Sequence, residues 1–261
     1  MGRRFNISFI GAGNVAEALA LALYKEKQNI VSVTSASGRS AAALAAKTGS
    51  SMQEGYKFTD KTDLIIIAVN DSSIEQVAGM IECPENTVVV HTAGSVHMNV
   101  LHRTDRAGVF YPLQTFTKGR TVNMKAVPFF IESTDEETLE LLKELALLIG
   151  NSAHQCVSER RKLLHMAAIF AGNFPNFLMT IGSDIVSRAG FNPGVLNPLI
   201  KEMAGKAVTM GPENAQTGPA RRNDTGTIND HLEILSYSAE YHDIYEQLSN
   251  MIMRYYNKKD L

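Results

Sequence analysis

Two rhythms of apolar and polar residues run through this chain. Phe5, Ile7, Phe9 and Ile10 form a short apolar run of the kind a strand buried on both faces carries. Val15, Ala18, Leu19, Ala22 and Leu23 then recur at i, i+3, i+4, i+7 and i+8, one face of a helix. Strand-like runs follow at 30–34, 64–69, 87–90, 108–111 and 127–131, and helix-like patterns at 40–47, 72–81 and 135–149. The last of these is opened by the acidic run Asp135-Glu136-Glu137. This alternation predicts a parallel, doubly wound sheet with right-handed crossovers and a ligand edge at the C-terminal ends of its strands. Between 150 and 158 the rhythm changes, and almost no strand signal follows. A long helix is expected from Ser158, its cap, to about Arg188, kinked or divided by Pro175. Further helices are expected from Asn192-Pro193 to Met210, from a cap at Asn223 or Asp224 through Leu235, and over 238–257, with a loop at 211–218. The fold class read from the pattern is α/β followed by an all-α domain, divided as 1–152 and 153–261.

The junction between the first run and the first helix is Gly11-Ala12-Gly13-Asn14-Val15-Ala16. Strand, glycine turn and helix in this order form a dinucleotide-binding fingerprint with Ala in the third small position. Gly11 permits the sharp turn, Gly13 lets a pyrophosphate approach the backbone, and Ala16 allows the helix to pack closely on the strand. The helix N-terminus offers N–H groups and a positive dipole end to phosphates. A glycine turn that binds nothing is the plainer alternative. After the second strand the chain reads Ser37-Gly38-Arg39-Ser40, with no acid before Glu54. An NAD site places Asp or Glu there to bond the ribose 2′-OH. Arg39 with the Ser37 and Ser40 hydroxyls suits a 2′-phosphate instead. NADP, as NADPH, is therefore the expected cofactor, although Ser40 could equally cap the next helix with Arg39 merely solvated. Val69, Asn70 and Asp71 fall at the same strand edge, as ligand contacts or as an ordinary helix cap.

The chain's 261 residues, 44% of them hydrophobic, are enough for a sizeable core. Its 25 basic and 27 acidic residues leave a net charge of −2, and no basic stripe points to nucleic acid or an anionic membrane. The pairs Arg3-Arg4, Arg160-Arg161 and Arg221-Arg222 are too small for that. Two cysteines, Cys83 and Cys156, read as reduced thiols of a cytoplasmic protein. The seven histidines show no metal-ligand spacing. The first strand begins too early to leave room for a signal peptide, and the run 64–69 is far short of a membrane span.

Chemistry could sit where the later strands end, at His91-Thr92-Ala93-Gly94-Ser95 and at Tyr111-Pro112-Leu113-Gln114. His91, Ser95, Tyr111 and Gln114 are candidates to orient a substrate or give a proton, or ordinary structural groups. His165 and Asn173 interrupt an otherwise apolar helix surface. At about 100° per residue they fall on one side, about 12 Å apart along the axis. A histidine can deliver a proton near neutral pH while a hydride arrives from a cofactor, or it can be a core residue bonded to a carbonyl. The stretch Thr217-Gly218-Pro219-Ala220-Arg221-Arg222-Asn223-Asp224 could clamp a polar or anionic substrate through Arg222 and Asp224, or form a surface loop with Asp224 as a cap.

Together the glycine turn, Val-His-Thr-Ala-Gly-Ser at 90–95, Tyr-Pro-Leu-Gln-Thr-Phe at 111–116, His165 with Asn173, and Thr-Gly-Pro followed by Arg222 and Asp224 resemble a family of uncharacterised bacterial proteins. These join a Rossmann-like domain to a helical domain of unknown function and are described as oxidoreductases. More distantly the chain is similar to pyrroline-5-carboxylate reductase, deazaflavin-dependent NADP reductase and the 6-phosphogluconate dehydrogenase superfamily. The resemblance implies a homodimer formed through the helical domain. Two departures stand out. The Lys–Asn helical pair of the hydroxyacid dehydrogenases has no counterpart, since Ile169 follows His165 by one turn. Tyr111 stands where the uncharacterised family often has His.

The expected function is an NADP(H)-dependent oxidoreductase that moves a hydride to or from a small carbonyl, imine or alcohol substrate. His165 is the expected proton relay, with Asn173, Arg222, Asp224 and Tyr111 completing the catalytic set. Two alternatives stay open: a dinucleotide-binding sensor without turnover, and a reductase passing hydride between NADP and a flavin-type cofactor.

Overall fold

The computed structural model describes residues 3–257. Contacts divide the chain into two compact units, 1–173 and 174–261. The first unit is built on an eight-stranded sheet: β1 (Asn6–Ile10), β2 (Asn29–Thr34), β3 (Ser51–Met52), β4 (Leu64–Ile67), β5 (Val88–His91), β6 (Ala107–Pro112), β7 (Pro128–Ser133) and β8 (Ser152–Gln155). Its order is β3-β2-β1-β4-β5-β6-β7-β8. The topology switches direction beside β1, between β2 and β4, where open α/β sheets bind ligands.

Successive side chains of a strand face opposite sides, and both faces are covered. Ile7, Phe9, Leu64, Ile66, Val88 and Val90 enter one core with α1 (Asn14–Lys25), α2 (Gly38–Thr48) and α4 (Glu136–Ile149). Ile10, Ile65, Ile67 and Val89 enter the other, with α3 (Ile74–Ala78). Each such aliphatic side chain stabilises the fold by about 1.5–3 kcal/mol, which is why the central strands are continuous apolar runs. The buried Ser8 and Ser32 hydroxyls bond each other at 3.0 Å, and Ser8 meets Thr62 at 3.2 Å, so neither is left unsatisfied.

The sheet departs from the fully parallel expectation at one place: β7 runs antiparallel to β6, while every other pair is parallel. The connection 113–127 carries only one short 3₁₀ turn, not the crossover helix that a parallel return needs. β3 and β8 are additions to the expected strands, and the expected domain boundary at 152/153 falls inside β8. The helix expected over 72–81 is a 3₁₀ turn, Asp71–Ser73, followed by the short α3, which ends at Ala78 with Gly79 as its C-cap.

The expected long helix is divided. α5 (Ser158–Ala168) leads into a π-helical turn, Ile169–Asn173, which closes the first unit. Pro175 has no N–H to give to the carbonyl four residues back, and a widened turn relieves the clash of its ring. Ser158 is not the cap. It is the first helical residue, and its N–H donates to Glu132 Oε1 at 3.1 Å, so a β7 carboxylate caps α5 from across the sheet.

The second unit is helical: α6 (Phe174–Arg188), α7 (Asn197–Met210), α8 (Pro212–Ala215), α9 (Thr225–Ile234) and α10 (Ala239–Asn257). α8 lies within the stretch expected as a loop. Asn192 caps the 3₁₀ turn before α7, Asp224 caps α9 by accepting from Thr227 N at 3.1 Å, and the Ser238 hydroxyl accepts from Tyr241 N at 3.3 Å. Inside this unit Tyr241 donates to Asp184 at 2.6 Å, and Arg188 lies over the Tyr237 ring at 3.8 Å. Among the described residues no helix is long and apolar enough to cross a membrane.

Candidate active site

Gly11 adopts φ +111°, and a Cβ there would stand 2.1 Å from the Ala68 carbonyl oxygen. No other residue fits a left-handed turn in van der Waals contact with the next strand. Its N–H bonds the Thr34 carbonyl at 2.8 Å and ties the turn to β2. Gly13 differs. Its φ is −80°, and a Cβ would meet nothing within 4 Å. The fold itself does not require glycine at 13, so the bare backbone there leaves open space beside the α1 N-terminus. No side chain caps that helix, the arrangement by which helix N-termini bind anions.

A cleft of about 840 Å³ opens over this turn and continues along the strand ends. Gly11, Ala12, Gly13, Asn14 and Val15 line it, as do Ser37, Ser40, Val69, Asn70 and Asp71. Gly38 and Arg39 are not among its lining residues, and Arg39 is exposed in the first turn of α2. The cap of α2 is Ser37, which accepts from Ser40 N, so the Ser40 hydroxyl is not the cap. The Asn14 amide donates to the Phe116 carbonyl at 3.0 Å and fastens the loop after β6 beside the glycine turn.

The far end of the cleft brings together Gly94, Tyr111 and His165. The Tyr111 hydroxyl lies 3.4 Å from His165 Nδ1, with the rings edge to face. A Cβ on Gly94 would fall 2.8 Å from both His165 Nδ1 and Tyr111 Cζ, so this glycine is what lets the two side chains meet. Burial raises the Tyr111 phenol above its ordinary value. The Arg161 charge opposes that shift and the Asp71 charge adds to it. The phenol therefore keeps its proton at neutral pH, as a donor must.

A network centred on Arg161, which in the sequence is only half of the small basic pair Arg160-Arg161, supports this pair. Arg161, on α5 one turn before His165, is fully buried. Its guanidinium forms an ion pair with Glu132 of β7 and donates to the Val96 carbonyl and to the Ser158 hydroxyl. The Ser158 hydroxyl also donates to Glu132 Oε2 at 2.8 Å and accepts from Met98 N at 3.0 Å. α5, β7 and the loop after β5 are thus fixed to one another, and His165 is held against Gly94.

Other expected site residues fall elsewhere. His91 is fully buried and does not line the cleft; its Nδ1 accepts from Ala93 N at 3.2 Å. Burial first, and then the Arg161 charge, push its pKa down to about 3, with a His97 backbone group opposing weakly. It is a neutral core group. Gln114 lines the cleft, and its Oε1 accepts from Thr115 N at 2.8 Å. Asn173 ends the π turn and does not line the cleft; the even 100° spacing that aligned it with His165 does not hold across that turn. Arg222 and Asp224 lie in the second unit. There Asp224 is engaged as the α9 cap, which holds its carboxyl below the usual range through the Thr227 N–H and hydroxyl. Ser95 donates to Asp71 Oδ2.

A glycine cradle at the topological switch, with a tyrosine–histidine pair beyond it at the strand ends, defines a Rossmann-type nucleotide-binding oxidoreductase fold joined to a helical unit. The chain belongs to an NADP oxidoreductase family: residues 6–94 match the family described as NADP oxidoreductase, coenzyme F420-dependent, and residues 127–252 match a domain of unknown function, DUF2520. A protein of Bacteroides fragilis, provisionally named an NADP oxidoreductase, is 37% identical over 96% of this chain and 98% of its own, with a TM-score of 0.89. A Thermotoga maritima protein shares the fold at 22% identity and TM-score 0.74, covering 98% of this chain and 100% of its own. An imine reductase of Myxococcus stipitatus, in complex with NADP+, shares it at 14% identity and TM-score 0.59, covering 97% and 93%. A search of curated proteins found no match.

Proposed function

We propose that this protein binds NADP(H) on the glycine turn and reduces, or in reverse oxidises, a small carbonyl, imine or alcohol at the Tyr111–His165 end of the cleft. The observation that carries the reading is the continuity of one cleft from the open space at Gly13 to the hydrogen-bonded Tyr111–His165 pair. The cofactor, when bound, supplies the hydride from its nicotinamide. The first turn of α1 and the backbone at Gly13 hold the pyrophosphate, and Ser37, Ser40 and Arg39 hold the 2′-phosphate. Tyr111 gives a proton to the substrate heteroatom, and His165, through Nδ1, restores it from solvent. Gly94 keeps the two side chains in reach.

The cofactor assignment is tested by titrating NADPH and NADH into the wild type and Arg39→Ala. The variant should lose NADPH affinity by about tenfold or more, as expected for a charge-assisted phosphate contact, and leave NADH nearly unchanged. Equal losses for both cofactors would remove Arg39 from the 2′-phosphate site.

The family description favours one other hydride partner, a deazaflavin. That match ends at residue 94, before Tyr111 and His165, so it supports the NADP half of the reading more than the identity of the partner. A deazaflavin chromophore that co-purifies and is reduced by NADPH would establish it.

We also infer a cytoplasmic homodimer joined through the second unit. The two cysteines are free thiols, as a reducing compartment keeps them. α7 has no buried residue, and Leu199, Met203 and Met210 are exposed along it. Apolar surface of this extent on a small helical unit calls for a partner. Sedimentation should give twice the 28.6 kDa chain mass; a monomer at micromolar concentration contradicts the inference.

A further inference from the structure

We propose that the substrate end of this cleft is built for a cation, an iminium or ammonium group, and that Asp71 recognises it. The inference rests on the function proposed above and adds the charge of the substrate. Asp71 follows β4 in the 3₁₀ turn that faces the cleft, and Ser95, next to Gly94, donates to its Oδ2. Asp71, Gly94, Tyr111 and His165 line one cleft. Among the described residues lining it, Asp71 is the one acidic side chain, and no lysine or arginine joins it. The nearest expected cation on the cofactor path, Arg39, belongs with α2, by the cap Ser37. The lining thus carries its one carboxylate where the reaction is expected, while Arg39 stands outside it in the first turn of α2.

This polarity selects among substrates. A carboxylate at this end meets a like charge and no counter-ion on this wall. Reduction of a carbonyl builds negative charge on oxygen beside the same carboxylate. Reduction of an iminium does not. Its carbon accepts the hydride, the C=N π pair becomes the nitrogen lone pair, and the positive charge passes to the nicotinamide. One positive charge therefore stays within the cleft through the hydride transfer. The amine product then takes a proton from Tyr111, which His165 restores.

Calorimetric titration of the full-length protein with NADP+, then with pyrrolidinium, cyclopentanone and cyclopentanecarboxylate, tests this without turnover. Pyrrolidinium should bind the NADP+-loaded protein at least tenfold more tightly than the neutral and anionic rings. Asp71→Asn keeps an acceptor for Ser95 and should abolish that preference. Ser95→Ala keeps the charge and should retain it. Failure of NADP+ to bind overturns the proposed function and this inference with it. NADP+ binding without a preference for the cation, or a preference that survives in Asp71→Asn, overturns this inference alone.

Discussion

Arg161→Met should cost about 3–5 kcal/mol of stability, the usual consequence of removing one partner of a buried ion pair. The guanidinium is fully buried, and its loss leaves the Glu132 carboxylate, with a side chain only 12% exposed, facing Ser158 alone. The pair itself need not be strongly stabilising, because desolvation offsets most of the attraction. The uncompensated charge is what costs. Combining Arg161→Met with Glu132→Leu should therefore restore much of the loss, so that the double variant is more stable than Arg161→Met alone. Urea unfolding gives both values, provided the m-value is unchanged. A loss below 1 kcal/mol in the single variant would mean that this network does not hold α5 to the sheet. The same variant should also loosen the Tyr111–His165 contact, since Arg161 is the residue that links α5 to the Val96 carbonyl beside Gly94.

Acid should destabilise the protein well before its carboxylates titrate, through His91. An unfolded histidine has a pKa of about 6.5, and the folded His91 is held at about 3. Between these values the unfolded chain binds the proton and the folded one does not, so stability falls as the pH falls. The contribution is complete above pH 6.5 and lost progressively down to about pH 3. A shift of this size corresponds to on the order of 5 kcal/mol over the whole window. His91→Asn keeps an acceptor for Ala93 N and removes the titration. The difference in unfolding free energy between wild type and variant should shift steadily in favour of the variant as the pH falls from 6.5 to 4. A pH-independent difference would show that folded His91 takes up its proton as readily as the unfolded chain does.

The parts of the molecule legible in the sequence are those set by near neighbours. The Gly11–Ala16 turn, the apolar face of α1 and the runs of β4 and β5 each depend on residues a few positions apart. β8, Ser-Ala-His-Gln, was not legible because its place in the sheet comes from backbone pairing with β7 and not from an apolar run. The reversal of β7 had a trace: no helical pattern fills 113–127. The role of Arg161 was not legible for a different reason. Its partners Glu132, Val96 and Ser158 come from a strand, a loop and its own helix, and adjacency to Arg160 presents it only as half of a small basic pair. A cue existed in its spacing, one helical turn before His165. Tyr111 and His165 were each readable as candidates, but their meeting was not. It depends on the missing side chain of Gly94, which a sequence presents as one more turn glycine.

The central claim is that the space at Gly13 belongs to NADP(H) and not to the fold. Gly13→Val tests it most directly, with two readings on one protein. A Cβ at 13 meets nothing within 4 Å and needs no unusual backbone angle, so the unfolding free energy should fall by no more than about 1 kcal/mol, the cost of replacing Gly by Val at a helix N-cap. NADPH affinity, measured by calorimetry, should fall by about a hundredfold or more, because the pyrophosphate would lose its approach to the backbone. NADPH binding within twofold of wild type in a folded Gly13→Val protein would contradict the account.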